Sequence, residues 1–135
     1  MVQERIRVMV VHFHPLVRAG LAACLRGAPD IEVVGVASDG EEALEMAAEL
    51  HPDAVIIGRT LYGGIGGFET TRRLVAAEPN TQVLIIAASI DPTHRAEAAS
   101  SGAKRYLDLG APPAEIVGAL RELAERGRRL PMEPG

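Results

Sequence analysis

Short apolar runs, each followed by a stretch of helical period, recur through most of this sequence. The clearest are Ile6-Arg7-Val8-Met9-Val10-Val11, Ala54-Val55-Ile56-Ile57 and Val83-Leu84-Ile85-Ile86, with a shorter one at Arg105-Tyr106-Leu107. A strand apolar on both sides must be covered on both sides, and strands joined through helices run parallel. The pattern predicts beta-alpha-beta units: an α/β domain whose parallel sheet lies between two helical layers. Strands are expected near 6–11, 31–37, 53–58, 82–87 and 104–107.

The intervening stretches carry start and stop signals. His14-Pro15 opens the first helix, with Leu16 or Val17, Leu21, Cys24 and Leu25 on one face before Gly27. Asp39 and Glu42, three apart, read as a capping box for the second, which ends before His51-Pro52. The third is expected from about Phe68 to Glu78, with Phe68, Thr71, Leu74 and Val75 inward. Asp91-Pro92 starts the fourth and Gly102 stops it. The fifth presents Ile116, Leu120, Leu123 and Ala124 between Pro112-Pro113 and Gly127.

With 135 residues, 47% of them apolar, the chain can bury one core and is too short for two ordinary domains. The domain is expected over 1–128, with 129–135 the start of a linker or tail. A net charge of -4, with no basic face in view, argues against nucleic-acid binding by this segment. The single Cys24 excludes an internal disulfide, and no leader or spanning-length apolar run is evident. The expectation is a cytoplasmic protein without membrane contact.

Val11-His12-Phe13-His14-Pro15-Leu16-Val17-Arg18, Ala37-Ser38-Asp39-Gly40-Glu41-Glu42-Ala43-Leu44, His51-Pro52-Asp53, Glu69-Thr70-Thr71-Arg72-Arg73-Leu74 and Ser101-Gly102-Ala103 carry a more specific message. Together with the strand pattern, they make the chain resemble a CheY-like receiver domain of a response regulator, of the NarL-like, LuxR-type subgroup. The resemblance covers nearly the whole chain. It implies a flavodoxin-like, doubly wound (βα)5 fold with strand order 2-1-3-4-5.

The chemistry departs from that family. Receivers hold magnesium with two acids after the first strand, where this chain has His12 and Phe13. An imidazole beside a phenyl ring lacks the oxygen donors that a hard cation requires. The phospho-accepting aspartate corresponds to Gly58, which has no nucleophile. The hydroxyl residue of the fourth strand corresponds to Ala87, with Ser89 two places on, and the lysine of the fifth to Leu109. Phosphoryl transfer depends on positioned cations, and these substitutions remove them. The expectation is an atypical, aspartate-less receiver with no metal, no cofactor and no catalysis.

Rival readings attach to several features. His12 and His14, two apart, could share a face and bind Zn2+ or Cu2+, yet no third ligand is evident. Gly63-Gly64-Ile65-Gly66-Gly67 matches neither the P-loop nor the dinucleotide pattern and reads as a turn. Cys24 reads as a small buried hydrophobe. Arg121, Arg126, Arg128 and Arg129 complement a helix C-terminus more simply than they bind DNA. Tyr106 falls where receivers keep an aromatic switch, with Ser89 as a second switch-like residue.

The leading functional expectation is a phosphorylation-independent receiver, acting as the N-terminal dimerisation domain of a transcription factor. DNA would be bound only by a C-terminal helix-turn-helix outside this chain. Homodimerisation is expected through helical faces that include Ala96, Ala99, Val117 and Leu123. The alternatives are a pseudo-receiver that senses a small molecule in a now apolar pocket, and a stand-alone protein-interaction module.

Overall fold

The computed structural model describes residues 5–89 and 91–129. Five strands alternate with five helices: β1 (Ile6–Val11), α1 (Pro15–Arg26), β2 (Ile31–Ala37), α2 (Gly40–Leu50), β3 (Ala54–Gly58), α3 (Gly67–Ala77), β4 (Gln82–Ala87), α4 (Pro92–Ser101), β5 (Arg105–Asp108) and α5 (Pro113–Arg129). The strands form one parallel sheet in the order β2-β1-β3-β4-β5. This is the expected doubly wound fold.

Strand alternation divides the core into two layers. Val8, Val10, Ile56, Leu84 and Ile86 point to the side covered by α1 and α5. Met9, Val11, Val55, Ile57, Val83 and Ile85 point to the side of α2, α3 and α4. All eleven of these side chains are fully buried, each contributing roughly 1.5–3 kcal/mol of transfer free energy. The strand order reverses at β1: β2 lies on one flank and β3 on the other. The crevice at their carboxyl ends is where open α/β sheets usually present a site.

Local signals set the helix ends. Asp39 accepts from the backbone N–H of Glu42 at 2.9 Å, and Asp91 accepts from that of His94 at 2.9 Å. His14 caps α1 with its imidazole, accepting from Leu16 N–H at 3.2 Å. Gly102, at φ 107°, ends α4 in the left-handed region.

One open choice is settled and two expectations change. Val17 packs on the core while Leu16 is 77% exposed, so the α1 stripe runs through Val17. Gly127 does not stop α5, which continues to Arg129. Val117 and Leu123, expected on a dimer face, are 8% and 1% exposed and pack among Leu25, Leu84 and Leu120. Their position on the sheet-facing stripe of α5 leaves nothing for a partner to touch.

Candidate functional site

A cleft of 340 Å3 opens where the strands end. His12 and Phe13 follow β1, Arg59 follows β3, Ala87 ends β4, and Leu109 follows β5. Four of the five residues expected in the degenerate pocket therefore line one hollow. The fifth, Gly58, lies buried beneath the imidazole of His12.

His12 is only 7% exposed. Its Nδ1 accepts from His14 N–H at 3.1 Å, which turns the ring inward over β3. A β-carbon on Gly58 would stand 2.8 Å from His12 Cδ2, closer than real side chains approach. Phe13 stacks on the outer side of the ring, centroids 5.0 Å apart. Burial, with smaller contributions from His14 and Arg18, holds the His12 pKa below its ordinary value of 6.5. The neutral imidazole is therefore favoured. Arg18 donates to the carbonyls of His12 (2.8 Å) and Phe13 (3.2 Å), tying this segment to α1.

Sequence reasoning missed Arg59, the residue that organises the other half of the cleft. Its backbone continues the sheet, donating to Ile86 O at 3.0 Å and accepting from Gly67 N–H at 3.1 Å. Gly67 allows this close approach: a β-carbon there would sit 2.3 Å from Gly58 O. Nη1 of Arg59 lies 3.1 Å from Tyr106 Oη, 2.9 Å from His94 Nδ1 and 3.4 Å from Ser89 O. Tyr106, 6% exposed, in turn donates to Ser89 O at 3.3 Å. The two residues expected to be switch-like thus meet at Arg59, although Ser89 takes part through its carbonyl, not its hydroxyl.

His94 Nδ1 faces two groups, Nη1 of Arg59 and, at 2.6 Å, a carboxylate oxygen of Asp91. One nitrogen cannot accept from Arg59 and donate to Asp91 at once, so the two contacts need different placements of the ring proton. Hydrogen bonds from His94, its backbone N–H first, keep the Asp91 carboxyl below the usual carboxylate range. The rim of the cleft is aromatic: Phe13 and Tyr62 meet edge to face, centroids 4.9 Å apart, at 37% and 64% exposure. Arg59 was legible only as a cation directly after a strand; its reach of 47 positions to Tyr106 was not.

The remaining expected residues lie elsewhere. Ala96 and Ala99 are exposed on α4. Arg121 forms a forked pair with Asp30, at 2.7 and 2.9 Å. Among the described residues, no three His, Cys, Asp or Glu side chains converge on a common point, and no helix is long and apolar enough to cross a membrane.

Residues 8–121 match the family profile of the response regulator receiver domain. The chain belongs to that family. The receiver is 36% identical over 125 residues to the transcriptional regulatory protein LiaR of Bacillus subtilis, a match covering 93% of this chain and 59% of LiaR. It is 39% identical over 116 residues to the response regulator GacA of Pseudomonas viridiflava, covering 86% of this chain and 54% of GacA. It thus spans little more than half the length of these curated relatives. Among solved structures, the receiver domain of NarL from Mycobacterium tuberculosis superposes with a TM-score of 0.86 at 32% identity, over 91% of this chain and 98% of that one.

Proposed function

We propose that this receiver works without phosphorylation, as the regulatory and dimerisation domain of a longer transcription regulator. The observation that carries the reading is the packing of His12 over Gly58: a ring fills the space beside the strand end where a phospho-accepting carboxylate would need room. Gly58 brings no nucleophile, and Ala87 and Leu109 bring neither hydroxyl nor ammonium. The family's magnesium ion does not fit the residues present. No carboxylate lines the cleft among the described residues, and a hard cation needs oxygen donors.

Support for the longer architecture comes from LiaR and GacA, of which the matched segments cover only 59% and 54%. DNA contact would belong to a further domain, a helix-turn-helix if the resemblance to the NarL-like, LuxR-type subgroup extends to it. A face including Ala96 and Ala99 on α4 suits pairing, since small exposed residues allow close approach of two backbones. Catalysis has no support, as no nucleophile, base and orienting group meet in the cleft among the described residues. The deciding experiment incubates the domain with acetyl phosphate, and separately with beryllofluoride, both with Mg2+. We expect no mass increase, no amide shifts at the strand ends and an unchanged sedimentation profile. A stable phosphorylated species would overturn the reading.

A second reading is favoured by the mostly apolar lining of the cleft: a pseudo-receiver governed by a small molecule bound at the strand ends.

A further inference from the structure

The cleft combines three properties. Its wall is apolar and aromatic, built by Phe13, Val17, Tyr62, Ile86, Ala87 and Leu109. It contains one permanently charged side chain, Arg59, and no acid among the described residues. At 340 Å3 it falls in the range of small-molecule sites, about 300–1,000 Å3.

Arg59 is also held weakly for a half-buried guanidinium. Nη1 contacts a phenol, a carbonyl and an imidazole nitrogen, none of them an anion. Asp91 acts on it through space, and one oxygen of its carboxylate accepts from the His94 backbone N–H at 2.9 Å. An arginine in such a position gains most from an incoming carboxylate or sulfonate, which accepts shorter and stronger hydrogen bonds than a neutral oxygen. The exposed faces of Phe13 and Tyr62 would be covered by a flat apolar body entering with that group.

We propose that the cleft binds a small aromatic molecule carrying one anionic group, and that Arg59 recognises the anion by releasing Tyr106. The inference rests on the second reading above and names its ligand class and its relay. Tyr106, on β5, is buried; its hydroxyl would lose the Arg59 guanidinium when the ligand takes it, while Arg95 stays 6.0 Å from its ring centroid. Occupancy of the cleft would thereby reach the α4 face that bears Ala96 and Ala99.

The test uses 2-naphthoate and its neutral counterpart 2-naphthalenemethanol, titrated against the full 135-residue chain by calorimetry and by NMR of the tyrosine rings. Wild type is expected to bind the carboxylate at least about tenfold more tightly than the alcohol, the ratio one charge-assisted hydrogen bond supplies. The Tyr106 signals should move with the carboxylate alone. Arg59→Met should erase both the preference and the movement. Leu109→Glu, which leaves Arg59 in place and adds a like charge to the cleft, should weaken the carboxylate more than the alcohol. Failure of wild type to bind 2-naphthoate, equal binding of the two probes, or a preference that survives Arg59→Met would overturn the proposal. Because phosphorylation is assayed separately, a chain that ignores both naphthoate and acetyl phosphate sinks this inference alone.

Discussion

The imidazole of His12 and the α-carbon of Gly58 form a matched pair: one side chain lies where the other residue has none, and a β-carbon at position 58 would stand 2.8 Å from the ring. The pair joins β1 to β3 across the carboxyl end of the sheet.

Restoring a carboxylate to position 58 should therefore damage the domain before it restores any chemistry. Gly58→Asp is expected to destabilise by about 1–3 kcal/mol through overpacking against the ring. Adding His12→Ala should return part of that loss, and a double-mutant cycle by urea denaturation gives the coupling. Additive effects of the two substitutions would mean that the ring and residue 58 do not compete for space.

The burial of His12 also sets a pH dependence. Its folded-state pKa lies below the unfolded value of 6.5, so below that pH the unfolded chain binds more protons than the folded one. Stability is then fully present above pH 6.5 and falls as the pH drops from there toward the folded pKa. His12→Asn should flatten this slope relative to wild type in thermal melts over the same buffers. An unchanged slope would place the titration elsewhere.

Arg59 and Tyr106 are expected to act as a unit. Arg59→Met should cost about 0.5–1.5 kcal/mol, the net worth of a neutral-acceptor hydrogen bond, and Tyr106→Phe a similar amount. The double variant should cost clearly less than the sum, because each removes the same contact. Chemical denaturation of the four proteins measures it.

The two helical faces first considered for pairing separate by experiment. Leu123→Ala, at 1% exposure, should cost about 2–5 kcal/mol of stability whatever the protein concentration. Ala99→Glu, on the exposed side of α4, should leave the melting temperature nearly unchanged. If that side pairs, sedimentation will show the variant shifted to monomer; an unchanged dimer would place the interface elsewhere.

Much of the fold was readable because its signals are local. Apolar runs on β1, β3 and β4 admit only strands covered on both faces, and Asp39, Asp91 and Gly102 mark helix ends through contacts within a few residues. That His12, Phe13, Gly58, Ala87 and Leu109 stand at the strand ends was readable too, since strand bounds follow from the apolar runs. Val117 and Leu123 were misassigned to a partner surface because helical period identifies a stripe without saying what covers it.

What the chain's own order of residues determined is the layered parallel sheet and a strand-end cleft without carboxylates among the described residues. Only the tertiary structure decided that His12 turns in over Gly58 and that Arg59 crosses to Tyr106. The reason is physical: periodicity and capping act over a few positions, whereas these contacts join residues 46 and 47 apart and exist only once neighbouring strands have paired and each side chain has selected its rotamer.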